Sequence, residues 1–212
     1  MSLGLYIHYP YCMRLCPYCD FNVAIKASIP QAAYADAVIA ELALRSQKQH
    51  LVGPVVSIYF GGGTPSLWPA SEIKRVVAAV ASTLGMISDV EISLECNPEN
   101  ADRGRLSAFR AAGINRLSLG AQSFNAETLR FFGREHRPDE IDRAVANARL
   151  AGFENVSIDL MFGAVKQETN DAVSDAQRAC DLGVEHVSFY ELTIEPGTRF
   201  GRLAQKGMRL TA

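Results

Sequence analysis

Short apolar runs alternate with longer amphipathic segments along the whole chain. Six of these runs are rich in β-branched and aromatic residues, which predicts strands, and helical periodicity predominates between them. In the clearest helical stretch, apolar residues recur from Ile73 to Leu84 in steps of three and four, and Gly85 follows as a stop signal. Strands that alternate with helices indicate βαβ units around a parallel sheet. The predicted strands span residues 5–9, 55–60, 90–96, 116–120, 156–161 and 186–192.

Three of the predicted helix-to-strand junctions repeat one motif. In each, a glycine and an apolar residue precede a strand that opens with apolar, serine and apolar residues, as in residues 113–119. Gly113, Gly152 and Gly183 stand where a helix commonly ends in a left-handed residue. Repetition of a βα unit predicts a toroidal or barrel-like arrangement. We therefore expect an α/β fold in which residues 1–212 form one domain.

The two faces of the predicted strands differ in character, because residues two apart in a strand share a face. One face is apolar, with Phe60 and Phe189 among its members, and is expected to lie against helices. The other face begins with a small hydroxyl and ends in polar residues such as Glu95, Gln122 and Asp159. Parallel α/β folds bind ligands at the carboxyl ends of their strands, so this face predicts an open, polar-lined cavity there.

Composition narrows the possible functions. The 212 residues carry a formal net charge of −2, which gives no electrostatic reason to expect nucleic acid. No apolar run approaches the roughly 20 residues that span a bilayer, and the opening residues show no secretory leader. Five cysteines are an odd count, which argues against a disulfide framework and indicates the reducing cytoplasm. The charged residues 134–137 are mixed in sign and predict a solvated turn.

Three cysteines lie within eight residues directly after the first predicted strand. Cys12, Cys16 and Cys19 are soft ligands suited to an iron–sulfur cluster, zinc or copper(I). Structural zinc sites are closed by four protein ligands, and no second cysteine pair is present, so a [4Fe–4S] cluster with one free iron is favoured. Cys96 and Cys180 lie in or beside apolar-periodic segments and are expected to be inert.

A glycine run follows the second predicted strand. Consecutive glycines at 61–63, before Thr64, would let the backbone approach a ligand and offer bare N–H and C=O groups; the alternative is a tight turn before Pro65. The first strand brings Tyr6 and His8 to the same end of the sheet as the predicted cavity. The loop that carries Cys12, Cys16 and Cys19, called the cysteine loop below, should therefore meet the cavity. His8 is expected to support other groups rather than to bind the cluster.

The ordered motifs resemble the radical S-adenosylmethionine (SAM) superfamily. Within it they are similar to the oxygen-independent coproporphyrinogen III oxidase group, and most of all to its heme-chaperone branch. The resemblance covers essentially the whole chain. It is carried by Tyr6-Ile7-His8-Tyr9-Pro10-Tyr11 ahead of the cysteines, Gly61-Gly62-Gly63-Thr64-Pro65, Leu117-Ser118-Leu119-Gly120-Ala121-Gln122-Ser123-Phe124 and Glu191-Leu192-Thr193-Ile194-Glu195-Pro196-Gly197-Thr198.

The resemblance implies a partial (β/α)6 barrel in which a [4Fe–4S] cluster binds SAM through its free iron. In such proteins an electron from the cluster cleaves SAM. It also implies heme or a porphyrinogen as cargo or substrate, an electron-donor protein and heme-acceptor proteins. By position, the cluster ligands are Cys12, Cys16 and Cys19; the contacts of the iron-bound SAM are Tyr6, Gly62 and Glu95; and those of a second SAM are Tyr18, Gly63, Thr64, Gln122, Arg134 and Asp159.

Local departures separate the alternatives within this family. The oxidases carry a fourth cysteine two residues beyond the third, whereas this chain has Phe21, which favours the heme chaperones. An oxidative decarboxylase of porphyrin biosynthesis and a zinc-stabilised barrel without redox chemistry remain alternatives. Residues 163–169 depart from the family pattern Gly-Leu-Pro-x-Gln-Thr, so the geometry of that loop is open. Family members also continue into a C-terminal region beyond the position of Ala212. No catalytic residue follows from these motifs.

Overall fold

Six parallel strands form one sheet in the computed structural model, which describes residues 2–48, 51 and 53–212. The order across the sheet is β1-β4-β5-β6-β7-β8, so each strand lies beside the next one along the chain once the short β2 and β3 are set aside. The strands of this sheet are β1 (Leu3–Tyr9), β4 (Val55–Gly62), β5 (Met86–Cys96), β6 (Arg116–Gln122), β7 (Asn155–Phe162) and β8 (His186–Glu191). A separate pair joins β2 (Tyr11–Cys12) to β3 (Ala24–Ile25).

Helices connect the strands as the sequence pattern predicts. The predicted stripe forms one face of the helix before β5, where Ile73, Val76 and Val80 are buried and Gly85 ends the helix with φ at +72°. Gly113, Gly152 and Gly183 have φ of +106°, +86° and +65°, so all three repeated junctions use the left-handed conformation expected of them. The helices are α1 (Gln31–Lys48), α2 (Ala70–Leu84), α3 (Arg103–Ala111), α4 (Ala126–Phe131), α5 (Pro138–Leu150), α6 (Thr169–Asp181) and α7 (Arg199–Gln205).

The main core lies between the helices and the apolar face of the sheet. Phe60, Leu94, Leu117 and Ile158 are fully buried there. The predicted α/β class and all six predicted strands are therefore confirmed. Phe189 differs from its prediction, because β8 is the last strand of the sheet and leaves this side chain 40% exposed.

The two cysteines outside the N-terminal loop have different environments. Cys96 is buried at the end of β5, and burial raises the pKa of its thiol to about 12, which fits the expected inert role. Cys180 is instead exposed on α6. None of the five cysteines is in a disulfide.

Among the described residues, no helix is both long enough and apolar enough to cross a membrane.

Candidate cofactor site

A cavity of about 450 Å³ opens at the carboxyl ends of the strands, beside the cysteine loop. Eleven of the twelve residues predicted for the site line it. The exception is Tyr6, whose ring stacks at 6.0 Å on Tyr59 and is 60% exposed. The lining members of the predicted set are Cys12, Cys16, Cys19, Tyr18, Gly62, Gly63, Thr64, Glu95, Gln122, Arg134 and Asp159.

The cysteine loop is tied to the barrel at several points. His8 Nε2 lies 2.8 Å from the carbonyl oxygen of Asn22, and because a carbonyl only accepts, Nε2 carries the proton. Nδ1 is then free to accept from the Tyr6 hydroxyl at 3.3 Å. Farther along, the Phe200 amide donates to Pro17 O at 2.8 Å. His8 thus supports the loop.

Two of the three thiols face side-chain donors that suit soft, negatively charged sulfur. The Thr64 hydroxyl donates to Cys12 Sγ at 3.4 Å, and Arg134 Nη1 lies 3.7 Å from Cys16 Sγ. Burial raises the pKa of Cys12 and Cys19, and coordination to iron would remove those protons. Among the described residues, no three His, Cys, Asp or Glu side chains converge closely enough to hold a single metal ion.

The glycine loop, defined as residues 61–64, lies against the cysteine loop. A Cβ on Gly63 would stand 2.8 Å from Tyr11 O and 2.9 Å from Cys12 Sγ, so only glycine fits there. The prediction that this loop offers unpaired amides is wrong. Gly63 N donates to Tyr9 O at 2.7 Å, and Thr64 N donates to Tyr11 O at 3.0 Å. The glycines serve to bring this backbone close to the thiols.

Glu95 ends β5 and is already hydrogen-bonded on both oxygens. Tyr59 donates to Oε1 and the Gly62 amide to Oε2, each at 3.0 Å. Burial raises the pKa of Glu95 above its ordinary value, although these two donors oppose the rise. Tyr59 shares a face of β4 with Gly61 and is not among the predicted site residues. Its hydroxyl fixes the orientation of the Glu95 carboxylate.

Arg134 and His136 correct the prediction that residues 134–137 form a solvated turn. The Arg134 guanidinium donates to Asn97 Oδ1 at 2.6 Å and to Gly120 O at 3.0 Å. Burial lowers the pKa of Arg134, but acidic neighbours including Tyr18 and Cys16 outweigh it, and the pKa stands above its ordinary value. His136 is only 3% exposed. Charge alternation did not reveal that two side chains of this segment turn inward.

Gln122 and Asp159 line the cavity from β6 and β7. Gln122 has φ at +67°, which is uncommon for a residue with a side chain and marks backbone strain at this point. Ser118 donates to Asp159 Oδ2 at 2.8 Å. Burial raises the pKa of Asp159, against the hydrogen bonds from Ser118 and Ser188.

The loop after β7 is held by hydrogen bonds within itself. The Gln167 side chain accepts from the amides of Gly163 at 2.8 Å and Ala164 at 3.2 Å, which fixes the turn that the sequence left open. Lys166 within it has φ at +67°. Glu168 then begins α6 through a reciprocal cap with Asp171.

The cavity lining is strongly acidic. Its carboxylates outnumber its two arginines, Arg14 and Arg134, and Arg14 is paired with Glu135 at 2.6 Å. A cationic ligand is therefore favoured near these walls. The seven lining carboxylates are Asp20, Glu95, Glu99, Glu135, Asp159, Glu191 and Glu195.

Comparisons with known proteins agree with this architecture. The family model described as "Radical SAM superfamily" matches residues 6–190. The heme chaperone HemW of Escherichia coli is 39% identical over 201 residues, which cover 94% of this chain and 53% of that protein. The mouse protein named radical S-adenosyl methionine domain-containing protein 1, mitochondrial, is 38% identical over 204 residues, covering 96% of this chain and 46% of its own length.

A solved structure gives the same result. Coproporphyrinogen III oxidase (HemN) from Escherichia coli, described in its title as a radical SAM enzyme, superposes with a TM-score of 0.83 at 28% identity. The match covers 99% of this chain and 48% of that one, and the chain spans about half the length of the curated relatives it matches. Radical SAM proteins have a [4Fe–4S] cluster and SAM in common. The chain belongs to the radical SAM superfamily.

Proposed function

We propose that this chain binds a [4Fe–4S] cluster through Cys12, Cys16 and Cys19. The observation that carries the proposal is a loop with three soft thiols at the edge of an acid-lined cavity, pressed against a glycine loop that admits no side chain at Gly63. Three protein ligands leave one iron open. When bound, the cluster would supply the electron that cleaves SAM.

The cavity walls suit SAM as the ligand of that iron. SAM carries a sulfonium and an ammonium, and the lining offers carboxylates at Glu95 and Asp159. Gly62 and Tyr6 complete the proposed contacts of the iron-bound SAM. A second SAM would contact Tyr18, Gly63, Thr64, Gln122, Arg134 and Asp159, where the Arg134 guanidinium can form a fork to a carboxylate.

Anaerobic reconstitution with iron and sulfide tests the cluster. We expect brown protein with broad visible absorption and about four irons per chain, which follows from the cluster type. Cys16→Ala should lose most of that iron, whereas Cys180→Ala, which removes an exposed thiol on α6, should keep it. Colourless wild-type protein that holds one zinc would instead support the zinc-stabilised barrel.

For the whole protein we propose a HemW-like role, in which heme is bound and handed to acceptor proteins in the cytoplasm. Support comes from the similarity to heme chaperones and from Phe21, which stands where the oxidases carry a fourth cysteine. An electron-donor protein would reduce the cluster. We assign residues 1–212 to a single radical SAM core domain, and in the relatives about as many residues again lie outside the matched part.

The second candidate is an oxygen-independent coproporphyrinogen III oxidase, favoured by the structural likeness to HemN. An anaerobic assay with coproporphyrinogen III, SAM and a reductant distinguishes the two. Vinyl product would contradict the chaperone role, whereas stoichiometric heme binding without turnover would contradict the oxidase role.

A further inference from the structure

His136 is a buried histidine that none of the proposed ligand contacts uses. It lies in the segment that joins α4 to α5, and its side chain is fully buried. Nε2 lies 2.9 Å from Ala121 O, and since the carbonyl only accepts, this nitrogen carries a proton. Nδ1 lies 3.4 Å from Glu99 Oε2 and has no hydrogen-bonded partner among the described residues. The ring of His136 therefore faces one backbone oxygen and one carboxylate oxygen, those of Ala121 and Glu99.

The two partners of His136 belong to two neighbouring strand ends. Ala121 precedes Gln122, the strained residue at the end of β6. Glu99 lies in the short 3-10 turn Pro98–Asn100, which follows β5, and its side chain lines the cavity. His136 therefore connects the ends of β5 and β6 from behind the cavity wall.

Arg134 makes a parallel connection one layer closer to the cavity. Its guanidinium joins Asn97, at the end of β5, to Gly120, in β6. Two side chains from residues 134–136 thus hold the same pair of strand ends. Burial raises the pKa of Glu99, but His136 and Arg134 lower it by more, so the net shift is downward and the carboxylate stays ionised.

We propose that His136 is a positioning residue that sets the placement of Glu99 and Gln122 on the cavity wall. It does so without touching the ligand, and the inference rests on the proposed binding of a cluster and SAM. Substitution of His136 should therefore weaken SAM binding. The cysteine loop should still take up iron, because His136 makes no hydrogen bond to it. A merely structural histidine would change stability alone.

The test uses the reconstituted 212-residue chain, with iron content, Tm and SAM affinity by calorimetry as readouts. His136→Phe keeps bulk but loses both contacts, and we expect SAM affinity to fall about tenfold or more at unchanged iron content. His136→Gln retains an amide donor for Ala121 O, and its affinity should lie within about threefold of the wild type. Ile141→Val, a buried change on α5, controls for lost stability and should lower Tm without changing affinity.

A double-mutant cycle with Glu99→Gln separates positioning from independent effects. If His136 acts through Glu99, the double variant should bind SAM no more weakly than the weaker single variant. Unchanged affinity in His136→Phe, or additive losses in the cycle, would overturn the inference. If His136→Phe does not fold, His136→Asn, whose short amide reaches at most one partner, takes its place. Wild-type protein without cluster or SAM binding would contradict the proposed function itself and the inference with it.

Discussion

Two loops that follow strands of the sheet meet different geometric demands. The glycine loop after β4 approaches the cysteine loop so closely that a Cβ on Gly63 would stand 2.8 Å from a backbone oxygen. In the 163–167 loop after β7 the demand is instead a left-handed residue, which is Lys166 with φ at +67°, and the Gln167 side chain accepts hydrogen bonds from the amides of Gly163 and Ala164. Close contacts in the first loop require glycine at position 63. In the second loop a residue with a side chain is tolerated at position 166, at the cost of local backbone strain.

The difference shows where sequence and function are most tightly coupled. A side chain in the glycine loop would displace the backbone next to Cys12, so substitution there affects the proposed cluster site directly. Lys166 is exposed, and its side chain has room. The free-energy cost of its left-handed conformation is confined to its own backbone. Substitution of Lys166 should therefore change the stability of the protein and leave the thiols unaffected.

Gly63→Ala should have the largest effect. The new methyl must move Tyr11 O or Cys12 Sγ, and such overpacking costs about 1–3 kcal/mol of unfolding free energy. Displacement of Cys12 should also reduce iron uptake in anaerobic reconstitution to well under half of the wild-type value. Gly104→Ala, on the exposed face of α3, is the matched control and should keep full iron content. Normal iron in Gly63→Ala would contradict the role assigned to the glycine loop.

Asp159→Asn tests the strand that leads into the second loop. Burial raises the pKa of Asp159, so in the ligand-free protein its ionised form destabilises the fold at pH 7. Asparagine removes that charge while Ser118 and Ser188 can reorient their hydroxyls, and the gain is on the order of 1.4 kcal/mol for each unit by which the pKa is raised.

The Tm advantage of Asp159→Asn over the wild type should depend on pH. Above the raised folded-state pKa the variant should have its full advantage in Tm. As the pH falls through that value the wild-type acid takes up a proton in the folded state, and the advantage should disappear. Thermal melts from pH 4 to 8 measure this, and an advantage that is constant with pH would contradict the account. SAM affinity should fall in the same variant if Asp159 contacts the ligand.

The fold was largely predictable because its signals are local and repeated. The apolar alternation located all six strands, and the three junction glycines identified the βα unit. Strand register also placed Glu95, Gln122 and Asp159 on the cavity face, since residues two apart share a face. Such inferences need only the period of the pattern.

The contacts between segments could not be predicted in the same way. A mixed run of charges is typical of a solvated turn, yet Arg134 and His136 point inward because the carbonyls of Gly120 and Ala121 accept from them. Glu99 and Tyr59 were missed as site residues for a similar reason, because their roles depend on partners 36 or more positions away. No sequence period reports which distant backbone oxygen lacks a donor.

Lys166→Gly should have the smallest effect and should act in the opposite direction from Gly63→Ala. A left-handed residue with a Cβ costs roughly 1–2 kcal/mol, and the greater freedom of glycine in the unfolded chain offsets part of the gain. We therefore expect Tm to rise by about 1–4 °C, with iron content unchanged. Lys166→Ala removes the same side chain but keeps the Cβ, so its Tm should stay at the wild-type value. Equal stabilisation by alanine would place the cost in the lysine side chain instead of the backbone, and the contrast between the two loops would then rest on Gly63 alone.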